Sequence, residues 1–184
     1  DLCEGIVRLA GEKPEGRIEH EDWTVGDIKY FDVSNQKIKE HLGIEFERAN
    51  HNVWGVKDTE DCLAAADTLA ALPWIDRKRL GIYGASYGSY LAVCALAYDP
   101  QYRFACAVAK YGDCNILTSW AQGEREAREE MERMMGHPAV RRENYDRGSP
   151  VWQVAKVRAP MLIVHGLQDP IVHPLQSEEL VEAL

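Results

Sequence analysis

The sequence contains no apolar run approaching the roughly 20 residues that cross a bilayer, and its opening DLCEGIVRLAGEKPEGR lacks the basic start and apolar middle of a secretory leader. Together these shortages predict a soluble chain with no membrane partner. Lysine and arginine do not cluster either. The net charge of −9 comes from acidic residues spread along the whole length, so the cationic patch that nucleic acid or anionic lipid requires is missing, and neither is expected as a partner. Cysteine is sparse and unpatterned. Cys3, Cys62, Cys94, Cys106 and Cys114 are odd in number, show no C-x-x-C spacing and mostly sit among apolar neighbours, as small core residues of a reducing, cytoplasmic compartment would. Acidic and histidine residues do not recur at ligand spacing, so no metal is expected. Internal repeats and low-complexity tracts are also missing.

What is present fits one domain. A chain of 184 residues encloses a single core of good size, burying roughly 70% of the surface its unfolded form exposes. Residues 1–50 mix charges, glycine and short apolar stretches; VGDIKYFDV reads as a strand and QKIKEHLGIEF as a short helix, with no chemistry assigned to either. This segment is read as a diverged or incomplete start, and residues 51–184 as the functional domain. There the pattern sharpens. DTEDCLAAADTLAALPWI places Cys62, Ala66, Leu69 and Ala70 on one helical face, with Asp58 and Asp61 near its positive end. RLGIYG then reads as a strand and ASYGSYLAVCALAYDP as a helix that Asp99-Pro100 terminates. FACAVAKYG is a second strand, and AQGEREAREEMERMMG a charged surface helix with its methionines turned one way and Gly136 as its stop. A third strand, PMLIVHG, leads through LQDPIVHP into the helix LQSEELVEAL. Alternating apolar strands and amphipathic helices predict an α/β fold on a mostly parallel sheet with helices on both faces.

The informative motif is Gly84-Ala85-Ser86-Tyr87-Gly88, a G-x-S-x-G between the first strand and its helix. A serine on such a turn is crowded by backbone, and glycines two residues before and after it remove side chains that would clash. The turn lifts the hydroxyl clear, which predicts Ser86 as nucleophile. The amide of Tyr87, at the positive end of the helix, can donate to the oxyanion of a tetrahedral intermediate. The competing reading is a glycine-rich turn used for packing alone. Such acyl transfer needs no organic cofactor.

An acid should follow at the end of a later strand, because open α/β sheets build their sites at the carboxyl ends of strands. Asp169, just beyond PMLIVHG, is in that place and could hold a histidine in the right tautomer; otherwise it is a turn-forming aspartate before Pro170. The base is not apparent. His173 follows the acid by four residues in the same loop, which is too short a separation, and His165 reads as a packed, backbone-bonded histidine. His20, His41, His51 and His137 have no supporting pattern. The chain is therefore read as a fragment, incomplete at its C-terminal end and nearly inactive by itself.

From about Asn50 onward the chain resembles the catalytic domain of the prolyl oligopeptidase family of serine peptidases, especially its acylaminoacyl-peptidase and dipeptidyl-peptidase-like members. The matching residues are Trp54-Gly55 followed by Asp58 and Asp61, Asp76 and Arg79 ahead of the G-x-S-x-G, and His165-Gly166 with Asp169 and Val172. The resemblance implies an α/β-hydrolase fold that cleaves short peptides, normally preceded by a β-propeller, with Ser86 as nucleophile, Asp169 as orienting acid and the Tyr87 amide as an oxyanion donor. Three departures stand out. Ser89 follows Gly88 where the family usually has a second glycine, and neither the His/Tyr-Gly-Gly-Pro segment that supplies or positions a second oxyanion donor nor the Tyr-Arg-Gly-Ser-like segment before the tryptophan is recognisable.

Tyr111, Asp113, Trp120 and Trp152 lie where loops over the sheet edge could wall a pocket for an apolar side chain. As an alternative, these aromatics anchor the surface helix onto the sheet. The expected partner is an oligopeptide or small acyl substrate, and homo-oligomerisation stays open. Three functions remain in view: a serine peptidase, an esterase on the same scaffold, and a catalytically dead module kept for binding.

Overall fold

The computed structural model describes residues 48–184; the strand and helix expected within residues 25–46 lie outside them. The elements run α1 (Lys57–Ala70), β1 (Gly81–Ala85), α2 (Tyr87–Tyr98), β2 (Cys106–Lys110), α3 (Ile116–Gln122), α4 (Arg125–Met135), α5 (Arg142–Gly148), a 3-10 segment (Pro150–Lys156), β3 (Met161–Val164) and α6 (Leu175–Ala183). The strands form a parallel sheet in the order β1-β2-β3. Parallel neighbours need crossovers, and α2 supplies the one from β1 to β2.

Register explains which residues are buried. Ile82, Ala107, Met161 and Ala109, Ile163 fall on one face of the sheet. That face packs against Ala66 of α1, Val93, Ala95 and Leu96 of α2, Val154 of the 3-10 segment and Leu180 of α6. Helix α2 is apolar around most of its circumference, and from Ser89 to Ala97 all but Leu91 are buried. A helix of that composition is stable only when surrounded, and its seat is the centre of the domain. The opposite face carries Tyr83, Val108, Leu162 and Val164, of which Tyr83, Leu162 and Val164 are exposed. Among the described residues, α2, the 3-10 segment and α6 pack on one face of the sheet, where the sequence predicts helices on both.

Helix α1 departs from its expected stripe. Thr59 and Ala66 are its buried residues, Cys62 and Ala70 are half-buried, and Leu69 is exposed. α1 packs chiefly on α2, with Ala66 clustered with Ala95, Leu96 and Phe104, and Leu69 lies beside an apolar groove along β1 lined also by Cys62, Leu80, Tyr83 and Phe104. In α4, Met131 and Met135 are buried, and Gly136 ends the helix with φ 78°. The methionines join Tyr90, Cys94, Ile116 and Tyr145 in a second cluster.

Buried polar clips tie the loop after β2 and the start of α3 to α6 and to the end of α5. Gln176, fully buried, accepts from the amides of Cys114 and Asn115, both at 3.0 Å, and donates to Thr118 Oγ1 at 2.8 Å. Ser149 accepts from the Ile116 amide at 2.9 Å and donates to the Tyr145 carbonyl at 2.7 Å. Each satisfies an amide at the start of α3 that the helix itself leaves without an acceptor.

Candidate active site at the carboxyl edge of the sheet

Ser86 occupies the single residue between β1 and α2, with φ 53° and ψ −125°. A side chain in that region is strained by roughly 1–3 kcal/mol, and surrounding structure must over-determine it. Three backbone bonds do so. The Ser86 amide donates to the Lys110 carbonyl at 2.9 Å, continuing the β1-β2 ladder by one residue, and the Ser86 carbonyl accepts from Ser89 at 2.9 Å and Tyr90 at 3.1 Å as the helix begins. The hydroxyl-bearing residue itself is exposed. As the first residue of α2, Tyr87 has an amide with no intrahelical acceptor, beside the positive end of the helix.

The two motif glycines are not equivalent. A Cβ on Gly84 would stand 1.9 Å from the Gly88 carbonyl oxygen and 2.6 Å from the Ser89 amide nitrogen, whereas one on Gly88 would meet nothing within 4 Å. The expected clash-relief role of the second glycine is therefore corrected, since Gly88 points its missing side chain toward the open groove along β1. Gly84→Ala is expected to cost about 3 kcal/mol through overpacking against backbone. Gly88→Ala should leave stability unchanged or raise it by about 0.5 kcal/mol by helix propensity; urea-denaturation midpoints measure both. A third glycine carries the load instead. A Cβ on Gly112 would lie 2.5 Å from Ser89 Cβ and 2.7 Å from the Ser86 carbonyl oxygen. The loop after β2 therefore presses against the elbow, and its bare backbone makes the room that buried Ser89 takes up.

Asp169 lies beyond the carboxyl end of β3, at the same edge of the sheet as Ser86 and two strand spacings away, about 10 Å across the ladder. Its Oδ1 accepts from the amides of Ile171 at 2.9 Å and Val172 at 3.0 Å. Burial raises its carboxyl, but the two amides, helped by His165, outweigh that and hold it below the usual carboxylate range. The second oxygen is 3.7 Å from His165 Nε2. That is too long for a hydrogen bond, and the His165 ring is already committed: Nε2 donates to the Val172 carbonyl at 2.9 Å, and Nδ1 lies 2.6 Å from Ser177 Oγ. His165 is thus packed and backbone-bonded, as expected, and in addition ties the acid loop to α6 through Ser177. His173 accepts from the Leu175 amide at 3.2 Å through Nδ1 and caps the start of α6.

The remaining residues separate. Tyr111 extends the β2-β3 ladder, donating its amide to the Val164 carbonyl at 2.8 Å, and has φ 42°. It stands on the same edge beside the elbow. Asp113 is half-buried, with Oδ1 buried and lacking a partner among the described residues, and burial pushes its carboxyl up against the pull of Ser119 and His165. Trp120 donates Nε1 to Glu132 at 3.0 Å and meets His137 edge-on at 5.4 Å, so its indole joins α3 to α4. Trp152 is exposed on the 3-10 segment.

Two residues with a part near the elbow, Asp58 and Trp54, are legible in the sequence as motif matches without a role. The Tyr87 phenol donates to Asp58 Oδ2, Asn50 Nδ2 donates to the phenol at 3.2 Å and to Asp58 Oδ2 at 3.3 Å, and the Tyr87 ring stands edge-on to Trp54 at 5.3 Å. Burial first, then Asp58, keep the phenol protonated far above its usual range. Gly55, with φ 73°, admits the Tyr90 hydroxyl, which a Cβ there would meet at 2.1 Å.

Among the described residues no group of three histidine, cysteine or acidic side chains could hold a metal ion, and no helix is long and apolar enough to cross a membrane. Known proteins resemble this chain in sequence or fold. The chain is 28% identical to the inactive dipeptidyl peptidase 10 of Rattus norvegicus over 97% of this chain and 23% of that protein. It superposes on a puromycin-hydrolysing peptidase of Mycobacterium tuberculosis with TM-score 0.70 at 28% identity, over 74% of this chain and 20% of that one. The acylaminoacyl peptidase of Pyrococcus horikoshii gives TM-score 0.68 at 29% identity, over 76% and 22%. The chain spans between a fifth and a quarter of the length of these relatives. The sequence profile described as the Prolyl oligopeptidase family matches residues 30–184, beginning some twenty residues before the resemblance read from motifs. With the strand-elbow-helix of Ser86, a parallel α/β sheet and a family match over most of its length, this chain belongs to the prolyl oligopeptidase family.

Proposed function

We propose that this chain supplies the nucleophile and orienting acid of a serine-type peptidase that hydrolyses short peptides through an acyl-enzyme on Ser86, as part of a longer enzyme. The observation that carries the reading is the elbow: an exposed serine at φ 53°, held by backbone bonds on both sides, next to the first amide of a helix. Attack by Ser86 Oγ on the substrate carbonyl places negative charge on the carbonyl oxygen, where the Tyr87 amide receives it. Asp169, ionised and fixed by two amides, is suited to orient an imidazole and stabilise it once protonated. Tyr111, at the same edge, is the favoured substrate contact. That relatives include an acylaminoacyl peptidase and a puromycin-hydrolysing peptidase supports an amide substrate. A relative named inactive keeps a binding-only module in view.

The test has two parts, both on the whole encoded protein. A fluorophosphonate should label Ser86 specifically; a folded protein without that adduct would favour the inactive module. Parallel kinetics on an aminoacyl anilide and a short acyl ester should show amide turnover, and strong ester turnover with none on the anilide would replace the peptidase by an esterase.

A further inference from the structure

Strained elbows need something to hold them, and at Tyr87 that something reaches in from elsewhere in the chain. Its backbone carries the amide assigned above to the oxyanion, while its side chain crosses to α1. There the phenol donates to Asp58, a residue 29 positions earlier in the first turn of that helix. Asn50 donates to both oxygens of the pair, so the phenolic oxygen and the carboxylate are held by one amide group. The ring is packed by Trp54 and Tyr90, each with centroids 5.3 Å away. Asn50 Oδ1 is left buried without a partner among the described residues, so the amide is oriented by what it donates. The Tyr87 side chain, though 37% exposed, is thereby held at its ring and at its hydroxyl, with three of the holding side chains coming from residues 50–58.

We propose that Asp58 is a positioning residue for the oxyanion donor: by fixing the Tyr87 phenol it sets the direction of the Tyr87 amide. This rests on the reading of that amide as the oxyanion donor. The consequence is specific. An interaction that orients a donor toward developing charge matters in the transition state and not in substrate binding, so its loss falls on kcat and spares KM. Deleting an oxyanion donor outright costs about 10²–10³-fold; loosening one should cost less, about 30-fold.

The experiment compares wild type, Asp58→Ala, Asp58→Asn, Tyr87→Phe and the Asp58→Ala/Tyr87→Phe double variant in the whole encoded protein. Asp58→Ala and Tyr87→Phe should each lower kcat on an aminoacyl anilide by about 30-fold with KM within about twofold. The double variant should be no worse than either alone, because both break one link. An asparagine side chain retains a carbonyl acceptor for the phenol, so Asp58→Asn should recover to within about threefold of wild type. Independently of turnover, the backbone amide resonance of Tyr87 should shift in Asp58→Ala and return toward its wild-type position in Asp58→Asn. A loss confined to KM, additive single effects, or an unmoved Tyr87 amide would overturn the proposal. If wild type forms the Ser86 adduct and Asp58→Ala forms it equally fast, the tether fails and the hydrolase reading stands. If wild type forms none, the hydrolase reading fails and takes the catalytic role of Asp58 with it, the amide resonance still deciding whether the tether orients that backbone.

Discussion

Ser86→Ala in the whole encoded protein should lower kcat/KM on a peptide substrate by about 10⁶-fold and abolish fluorophosphonate labelling, with the urea midpoint unchanged. The loss is large because the hydroxyl forms the acyl bond and no neighbouring group can replace it. Stability stays level because alanine inherits the same φ of 53° and the same three backbone bonds. Ser86→Gly separates the two effects. Glycine occupies that conformation freely, so the variant should be as inactive as alanine but more stable by about 1 kcal/mol, after allowing for the extra freedom glycine adds to the unfolded chain. Equal midpoints for the alanine and glycine variants would show that the elbow stores no strain.

Asp169→Asn should reduce kcat/KM by about 10⁴-fold while leaving the loop folded. The oxygen that accepts from Ile171 and Val172 survives in asparagine, so the turn keeps both bonds. What changes is the second atom, which becomes a donor and selects the wrong imidazole tautomer. Activity lost together with a collapsed melting transition would indicate a structural role instead. The carboxyl is held below its usual range, which also fixes a sign. A depressed folded-state pKa means that the carboxylate stabilises the loop above its unfolded value, near pH 3.9, and that this contribution disappears as pH falls through the lower folded value. Asp169 is ionised throughout the neutral range, so the acidic limb of the activity profile should belong to another group.

The local parts of the site are readable without any tertiary contact. Apolar runs of strand length, a following helical period and a glycine two residues before the serine all record backbone geometry over a few residues, where steric limits on φ and ψ act. Strand β1, Ser86 and α2 therefore appear where the pattern puts them, and Asp169 follows β3 as a parallel sheet requires. The role of Gly88 is not readable in this way, because G-x-S-x-G is symmetric as text, whereas the strand side of the turn is crowded by backbone and the helix side opens on a groove.

Sequence alone thus determined the alternation of strands and helices, the strained serine and the placement of an acid on the same sheet edge, since each follows from short-range periodicity and turn chemistry. Tertiary structure decided the rest: that Gly112 makes room for Ser89, that His165 is spent on Val172 and Ser177, that Trp120 joins two helices, and that Asp58 reaches Tyr87. Those contacts join residues up to dozens of positions apart, and the packing angle between elements, which no repeat in the chain encodes, selects which side chains meet.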